Sequence, residues 1–363
     1  EYEKMYNQYL EIMRDGVITL FNSNKNKTID YIKTEVLRDA PDVPTIVIKA
    51  VGSSYEEVTD KELIESAIQG MLQSLDPHSS FMNSETFDEM KIQTKGEFGG
   101  LGIEVTMENG LVKVVSPIDD TPAFRSGVNA GDKIIKIEEE STLDMTLQDA
   151  VSLLRGETGS PINITIFRNN FKAPKEFTIV RDIIKVRSVV HKLYQEDIGY
   201  IKLRNFSKNT SGDLDQALAD LGKKGITKLI LDVRNNPGGL LNQAVEVTDR
   251  FLNRENLIVY TKGRSNEQNM RFTSHDKVAG VNYPLIILVN SGSASASEIV
   301  AGALQDHKRA VLLGEATYGK GSVQSIIPLN NRGAIRLTIS KYYLPSGKSI
   351  SEVGVTPDIK IIE

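Results

Sequence analysis

The feature that most constrains the fold is an alternation of apolar runs with helical stretches along the second half of the chain. The apolar runs predict buried strands at residues 198–203, 229–233, 285–289 and 311–313. Helical patterns separate these strands at residues 210–221, 241–252 and 297–306. Strands joined by helical crossovers lie parallel to one another. Residues 183–363 are therefore predicted to form an α/β domain around a mainly parallel sheet, with further strands at 324–329 and 334–340.

The preceding segment, residues 95–182, predicts a smaller module of strands with two helices. Its strand patterns lie at residues 112–115, 133–138, 162–168 and 176–180. A short helix is expected between Thr121 and Gly127, because threonine favours the N-cap, Pro122 the first helical position and glycine the end. A longer helix is predicted at residues 146–155. This content is typical of a peptide-binding module.

Residues 1–94 predict a mainly helical region. Apolar residues recur at three- and four-residue spacing between Tyr2 and Met13, which is the pattern of an amphipathic helix. Further helices are predicted at residues 29–37 and 60–75, the last one ending before Pro77. A short strand is predicted between them, at residues 45–51.

Composition excludes several kinds of site. The chain of 363 residues has no cysteine, so it can have no disulfide, thiolate zinc site or cysteine nucleophile. Its net charge of −5 does not favour nucleic acid as a partner. We expect no metal, because the four histidines form no HExxH pattern, and no other cofactor. The longest apolar runs have the length of strands.

One serine lies where α/β proteins build their sites. The strand at 285–289 leads through Ser291-Gly-Ser-Ala-Ser-Ala-Ser-Glu298 into a helix. A serine in such a turn lies at the carboxyl edge of the sheet, and the helix N-terminus offers N–H groups to a developing oxyanion. Ser295 and Glu298 also fit a capping box, which requires no catalysis. The turn alone leaves both interpretations open.

A second loop carries Lys320 between two glycines, Gly319 and Gly321. A lysine activates a serine only as a neutral amine. Lowering its pKa from about 10.4 to about 7–8 costs roughly 4 kcal/mol of differential solvation and needs an enclosed site. The alternative is a solvated lysine on a flexible loop. A phosphate-binding loop is excluded, because Gly321 follows the lysine where such loops have Ser or Thr.

Two further patterns bear on the site. Arg234-Asn-Asn-Pro-Gly-Gly239 follows a strand and precedes a helix, so it predicts either a tight turn or amides offered to an anion. A serine–histidine–aspartate triad is the alternative to lysine. His307 is not expected to be its base, because it lies along the helix that begins at Ser295. Spacing leaves His78, His191 and His275 open.

Together these motifs resemble the carboxyl-terminal processing peptidases, also called tail-specific proteases, which are serine proteases with a Ser–Lys dyad. The resemblance covers residues 55–360. It rests on Ala67-Ile-Gln-Gly-Met-Leu-Gln-Ser-Leu-Asp-Pro-His-Ser-Ser-Phe81, Gly99-Gly-Leu-Gly-Ile103, Leu231-Asp-Val-Arg-Asn-Asn-Pro-Gly-Gly239, Gly292-Ser-Ala-Ser-Ala-Ser-Glu298 and Tyr318-Gly-Lys-Gly-Ser-Val-Gln324. It implies a multidomain α/β protein: a helical N-terminal region (1–94), an inserted PDZ domain (95–182) and a crotonase-like α/β protease core (183–363).

The resemblance also implies roles for individual residues. Ser295 would be the nucleophile, Lys320 the general base and Gln324 the residue that positions the lysine. The amide of Ala296, with that of Gly238 or Gly239, would form the oxyanion hole.

In the PDZ domain, Gly100, Leu101, Gly102 and Ile103 resemble the loop that binds a terminal carboxylate through backbone amides. The bound tail would add a strand to the sheet and place apolar side chains against the helix at 146–155. Leu147 and Val151 are the expected contacts, and at least one of Leu147, Val151 and Leu154 is expected to face the core. Arg155 resembles a position that couples PDZ placement to the active site.

The expected partners are protein or peptide substrates with free apolar C-termini. A homodimer or higher homo-oligomer, through residues 1–94, and an adaptor or regulatory protein are further candidate partners. The resemblance implies an extracytoplasmic location, in the bacterial periplasm or cell envelope, with a signal or anchor upstream of Glu1.

Two alternative functions are open. A catalytically silent PDZ-bearing adaptor is disfavoured by the joint presence of Ser295, Lys320 and Gln324. A crotonase-like acyl-transfer enzyme is disfavoured by the inserted peptide-binding module.

Overall fold

The computed structural model describes residues 60–275, 282–329, 333–351 and 353–361. The helices and the strand predicted within residues 1–59 lie outside this part of the chain. The chain divides into two compact units, Glu1–Asn83 with Ile326–Leu337, and Ser84–Ser325 with Thr338–Glu363. Among the described helices, none is long and apolar enough to cross a membrane.

The secondary-structure elements are numbered in chain order. The α-helices are α1 Asp60–Gln73, α2 Ser84–Lys95, α3 Pro122–Arg125, α4 Leu147–Leu154, α5 Thr210–Lys223, α6 Leu241–Asp249 and α7 Ala296–Asp306. The first strands are β1 Ser80–Met82, β2 Glu97–Gly100, β3 Ile103–Glu108, β4 Leu111–Pro117, β5 Lys133–Ile137, β6 Glu140–Ser141, β7 Pro161–Phe167, β8 Lys175–Val180, β9 Asp182–Lys185 and β10 Val189–Tyr194. The remaining strands are β11 Ile198–Leu203, β12 Lys228–Asp232, β13 Leu257–Gly263, β14 Arg271–Thr273, β15 Leu285–Val289, β16 Val311–Gly314, β17 Ser322–Pro328, β18 Ala334–Tyr343 and β19 Ile359–Lys360.

The first unit contains α1 and β1. α1 confirms the helix predicted before Pro77. The turn that follows it is held by Asp76, whose carboxylate accepts hydrogen bonds from the amides of His78 and Ser79 at 2.8 and 3.0 Å. β1 pairs antiparallel with residues 334–336 of β18.

An antiparallel sheet forms the smaller module. Its strand order is β3-β4-β5-β7-β8, with β6 beside β5, so the four strands predicted there are confirmed. Ile162, Ile164 and Ile166 alternate along β7 and are fully buried, which is the period-two pattern of a half-buried strand. α4 begins with a capping box in which Thr146 and Asp149 exchange side-chain and backbone hydrogen bonds.

A two-stranded ribbon brackets this module. β2 and β9 pair antiparallel, with Glu97 opposite Lys185 and Gly100 opposite Asp182. One strand therefore leads into the module and the other leads out of it, side by side. The sequence patterns predicted neither strand, because both are four residues long and β2 ends in two glycines.

The sheet of the predicted α/β domain has the order β10-β11-β12-β15-β16-β19 and is parallel from β11 onward. This confirms the mainly parallel sheet, and antiparallel β10 is its added edge. Its core is a stack of fully buried side chains from successive strands, namely Ile201, Leu231, Ile287 and Leu312. A separate sheet contains β13, which pairs with β14 and with residues 340–343 of β18.

Parallel pairing decides where the site lies. β12, β15 and β16 are neighbours that run in one direction, so their carboxyl ends share one edge of the sheet. The loops that follow, at residues 233–240, 290–295 and 315–321, contain all three patterns that the sequence singled out in this domain.

Candidate active site

Ser295 lies in the turn between β15 and α7, half-buried, with φ 55° and ψ −111°. A positive φ in a residue with a Cβ costs about 1–3 kcal/mol and persists only where the surroundings impose it. Here the Ser293 hydroxyl donates to the Val233 carbonyl at 2.8 Å, and the Ala294 amide donates to the Asn236 carbonyl at 3.0 Å. The neighbouring loop therefore fixes the turn that presents Ser295.

Glu298, in the first turn of α7, is fully buried and joins two loops. Its Oε2 accepts hydrogen bonds from the amides of Ser295 and Lys320, at 2.7 and 2.9 Å. Its Oε1 accepts them from the Thr317 hydroxyl and the Gly319 amide, at 2.6 and 2.7 Å. Because two amides share one oxygen, the backbones of Ser295 and Lys320 are held next to each other.

Lys320 lies in the loop before β17, and Gln324 lies in that strand. Lys320 is half-buried in the loop between β16 and β17, and Gln324 is a half-buried residue of β17. Gly319 has φ 90°, and a Cβ on Gly321 would lie 2.5 Å from the Ser351 amide nitrogen. The backbone beside the lysine therefore approaches residue Ser351 too closely at Gly321 for any larger side chain.

Gly238 packs directly against the serine turn. A Cβ on Gly238 would lie 2.9 Å from the Ser295 Cβ and 3.0 Å from the Ala296 nitrogen, so no larger residue fits there. Its φ of 99° also favours glycine. The Gly238 amide donates to the Asn236 Oδ1 atom at 2.9 Å.

Gly239 differs from Gly238 in the segment that it packs against and in its amide. With φ 147°, it packs against the backbone of Phe206, where a Cβ would collide with the carbonyl oxygen. Within the described residues, no hydrogen bond takes up the amide of Gly239 or that of Ala296. These two amides are therefore available to a ligand.

An asparagine pair joins the glycine loop to the serine turn. The Asn235 amide donates to the Asn290 Oδ1, and the Asn290 side-chain amide donates to the Asn235 Oδ1, both at 2.9 Å. Asn236 is fully buried and donates its side-chain amide to the Leu203 carbonyl at 2.9 Å. The tight turn predicted at residues 234–239 is thus present, and it leaves the Gly239 amide unused.

A buried carboxylate lies at the start of the same loop. Asp232 is fully buried and accepts hydrogen bonds from the Arg234 guanidinium at 2.8–3.0 Å and from the Tyr200 hydroxyl at 2.7 Å. Burial alone would raise the pKa of Asp232, but the hydrogen bonds from Arg234 and Tyr200 outweigh it and lower that pKa. Burial, together with the adjacent carboxylate, raises the pKa of Tyr200 to about 12.

The predicted carboxylate-binding loop connects β2 to β3. Leu101 is buried, and Gly102, with φ 76°, packs against Thr121, where a Cβ would collide with the side chain. The carbonyls of Leu101 and Gly102 accept hydrogen bonds from Ala123 and Ile118, at 2.9 and 2.8 Å. In the described part of the chain, no hydrogen bond takes up the amides of Leu101 and Gly102.

The predicted tail-contacting residues of α4 differ in exposure. Leu147 is exposed, Val151 is half-buried and Leu154 is buried in the core, so the expectation that at least one would face the core is confirmed. Arg155 places its guanidinium carbon 4.8 Å from the centroid of the Phe98 ring in β2. The end of α4 therefore contacts the ribbon.

The histidines of the larger unit contact groups away from Ser295. His307 ends α7, with Nε2 2.7 Å from the Leu257 carbonyl. His191 and His275 lie 3.9 and 3.7 Å from the carboxylates of Asp220 and Asp249. Within the described residues, no three His, Asp or Glu side chains converge as a metal site requires.

Models of known families match three parts of the chain. Peptidase family S41 matches residues 197–361, the PDZ domain matches residues 99–179, and the N-terminal domain of the activating protease CtpB matches residues 42–86.

Individual relatives cover most of the chain. A carboxy-terminal-processing protease of Bartonella bacilliformis is 53% identical over 320 residues, which are 87% of this chain and 73% of the relative. CtpB of Bacillus subtilis is 36% identical over 318 residues, 86% of this chain and 65% of the relative. The solved photosystem II D1 C-terminal processing protease is 27% identical with a TM-score of 0.50, covering 89% of this chain and 87% of its own.

The chain belongs to the carboxy-terminal-processing proteases of peptidase family S41. It is a serine-type peptidase, and the predicted fold, an α/β peptidase core with an inserted PDZ domain, is confirmed. The S41 match spans the loops that contain Ser295, Lys320 and the two glycines, and the PDZ match spans the loop from Gly100 to Ile103.

Sequence reasoning missed the roles of two buried carboxylates beside these loops, Glu298 and Asp232. Glu298 was interpreted as a helix cap, although its carboxylate also binds the lysine loop. The Ser-x-x-Glu pattern was the available signal, but it reports only the local bond to Ser295. Asp232 was passed over as the end of a strand; a carboxylate two residues before an arginine was its signal.

Proposed function

We propose that the chain is an endopeptidase that binds the C-terminal tail of protein substrates through its PDZ domain and cleaves with a Ser295–Lys320 dyad. The observation that carries the proposal is the Glu298 carboxylate, whose one oxygen binds the amides of both residues. A structural capping box needs only the first of these bonds. The second supports a site that fixes the lysine relative to the serine.

The dyad acts in two half-reactions. Lys320 Nζ, as a neutral amine, takes the Ser295 hydroxyl proton while Oγ attacks the scissile carbonyl. The tetrahedral intermediate collapses when the Lys320 ammonium returns a proton to the leaving amine, giving an ester on Ser295. Water then attacks this ester with Lys320 again as the base, releasing the acid product and the free serine. Gln324, the third residue of β17 and four residues after Lys320, positions Lys320.

The oxyanion hole in this proposal is formed by the amides of Ala296 and Gly239. Both are without a partner within the described residues, and the Ala296 amide has the orientation of a helix N-terminus. The Gly238 amide is engaged by Asn236. In this arrangement Gly238 has a different role: because it has no side chain, its loop can approach Ser295 closely.

The PDZ domain selects the substrate by its free end. The terminal carboxylate would bind the amides of Leu101 and Gly102 in the loop from Gly100 to Ile103, and the tail would add a strand beside β3. Leu147 and Val151, on the accessible part of α4, would contact the apolar side chains. Arg155, through its contact with Phe98, would transmit tail binding to the ribbon.

The setting of the reaction follows from family resemblance. We propose an extracytoplasmic location, in the periplasm or cell envelope, and action on exported proteins with apolar C-termini. A homo-oligomer and an adaptor or regulatory protein are proposed as further partners.

The test uses an unstructured protein with a free apolar C-terminus. The wild type should cleave it, whereas Ser295→Ala and Lys320→Ala should not, and Ser291→Ala, in the exposed part of the same turn, should cleave normally. The same substrate with an amidated C-terminus should react more slowly, since the carboxylate contact is lost. The assay is repeated with excess tail peptide, so that a PDZ-inhibited resting state is not mistaken for an inactive enzyme. Tail binding without cleavage in both conditions would refute the peptidase and leave the adaptor.

A further inference from the structure

Two apolar side chains beside the dyad are strongly exposed. Tyr318, two residues before Lys320, exposes 62% of its surface, and Val353 exposes 72%. No other large apolar residue in the described part of the chain is as exposed as either. The role proposed for the dyad uses neither residue.

The loops that carry the two side chains are fixed to each other. The Thr317 amide donates to the Val355 carbonyl at 3.1 Å, and the Thr317 hydroxyl accepts from the Val355 amide at 2.7 Å. Gly354, with φ 65°, packs so closely on Thr317 that a Cβ would lie 2.5 Å from its carbonyl oxygen. Tyr318 and Val353 each adjoin one member of this contact, so they lie on one rigid support.

The same support is joined to the nucleophile. The Tyr318 amide donates to the carbonyl of Ser293, two residues before Ser295, at 3.0 Å. The next residue, Gly319, binds Glu298, which also binds the Ser295 amide. The backbone of Tyr318 is thus fixed relative to the nucleophile, while no hydrogen bond in the described part of the chain engages its hydroxyl.

We infer that Tyr318 and Val353 form an apolar subsite for the substrate side chain next to the scissile bond. The inference rests on the proposed peptidase function, because the occupant is the chain that Ser295 attacks. Covering exposed apolar surface with an apolar side chain is favourable, and on a rigid loop little conformational entropy is lost when the substrate binds. The subsite would make cleavage selective for an apolar or aromatic residue at one position beside the cleaved bond, independently of the selectivity of the PDZ domain for the tail.

The experiment varies the cleaved bond and keeps the tail constant. Unstructured substrates with one apolar C-terminus carry Leu, Phe, Gly or Asp at each position flanking the scissile bond, and kcat/KM is measured for each. For the wild type, Leu or Phe should exceed Gly by about tenfold or more at one flanking position, the discrimination expected of an apolar pocket. Tyr318→Ala should reduce this ratio to about twofold, and Tyr318→Phe should preserve it.

Further variants separate selectivity from general damage. Val353→Ser should also lower the ratio, and it decides the question if Tyr318→Ala folds poorly. Phe167→Ala, which removes an exposed ring from the PDZ sheet, should leave the ratio unchanged. A wild type without flanking preference, or unchanged ratios in both Tyr318→Ala and Val353→Ser, overturns the subsite alone. A wild type that matches Ser295→Ala in showing no cleavage overturns the proposed function and the subsite with it.

Discussion

The carboxylate of Glu298 receives four hydrogen bonds from two segments. One comes from the Ser295 amide at the start of its own helix, and three come from the Thr317 hydroxyl and the amides of Gly319 and Lys320 in the lysine loop. Each oxygen therefore serves two donors. A group with one oxygen and one NH₂ cannot satisfy this arrangement, because the NH₂ would face N–H or O–H donors. An unsatisfied buried donor costs about 1–3 kcal/mol.

Glu298→Gln is therefore expected to lower kcat by about 100-fold or more, because the Lys320 loop loses its tie to Ser295. Labelling of Ser295 by a fluorophosphonate should slow in parallel, since it depends on the same proposed dyad. Glu267→Gln, an exposed change of the same chemistry, is the control. Normal turnover in Glu298→Gln would contradict the positioning role of the carboxylate.

The hydrogen bond between Tyr200 and Asp232 predicts that the stability of the fold depends on pH in the alkaline range. The pKa of Tyr200 is raised to about 12, above its ordinary value, so the neutral hydroxyl is favoured by the fold. The stability that this bond contributes is complete below about pH 10 and is lost as pH rises toward 12. Tyr200→Phe should lower the free energy of unfolding by about 1–2 kcal/mol at pH 8, with the difference narrowing above pH 10.

Denaturant unfolding at several pH values measures the difference in the free energy of unfolding between the wild type and Tyr200→Phe. Tyr194→Phe, which removes the hydroxyl of the neighbouring ring, serves as the control and should show no such narrowing. A constant difference from pH 8 to 12 would mean that the hydroxyl of Tyr200 does not titrate as the fold predicts.

At the level of elements, the end of α4 depends on one arginine. Arg181 donates to the carbonyls of Leu153 and Leu154 at 2.8 and 3.2 Å, and also to the Ser160 hydroxyl and the Pro161 carbonyl. It therefore satisfies carbonyls that a helix end leaves open. Arg181 also directly precedes β9, so it joins α4, the helix proposed to contact the substrate tail, to the ribbon.

Arg181→Ala should weaken tail binding by about tenfold, because α4 loses its anchored end. The dissociation constant of a fluorescent tail peptide, measured with Ser295→Ala protein so that no cleavage intervenes, checks this. Arg181→Lys should not restore binding, since one ammonium group cannot reproduce the hydrogen bonds that the three guanidinium nitrogens donate to four acceptors. Lys172→Ala is the exposed control, and equal affinity in Arg181→Ala would contradict the anchoring role.

Elements with strong periodicity were predictable, and elements defined by long-range partners were not. β11 and β15 were predicted with the bounds they have. β15 is a continuous apolar run, and β11 has an apolar residue at every second position, which is buried. β10 was missed because it is an edge strand with polar positions, and β2 and β9 because they are short and exist only as a pair.

The same division holds in the site. The loops with Ser295 and Lys320 were predictable from the strand ends. The shared carboxylate of Glu298 was not, since its donors come from a loop about twenty residues away in sequence.

At the scale of the whole molecule, the two buried hydrophobic clusters predict that the PDZ domain and the peptidase core unfold in separate thermal transitions. One cluster lies in the PDZ sheet and includes Ile164, and the other lies in the peptidase core and includes Ile287. Calorimetry should therefore resolve two transitions. Ile164→Ala should lower one of them and Ile287→Ala the other, each by the equivalent of about 2–5 kcal/mol.

If the folded PDZ domain alone binds the tail, as proposed, a tail peptide should raise only the transition temperature that Ile164→Ala lowers. One transition that shifts with both substitutions would mean that the two cores unfold as a single cooperative unit.

The ribbon of β2 and β9 has a consequence for how this architecture can change. Antiparallel partners lie about 5 Å apart, so the chain leaves the peptidase and returns to it at nearly the same point. A domain inserted between β2 and β9 therefore hardly changes the distance between the two ends of the peptidase chain that it joins. The entropic cost of bringing those ends together grows only slowly with the length of the insertion. We therefore expect that a different inserted domain can replace this PDZ domain without disturbing the peptidase core.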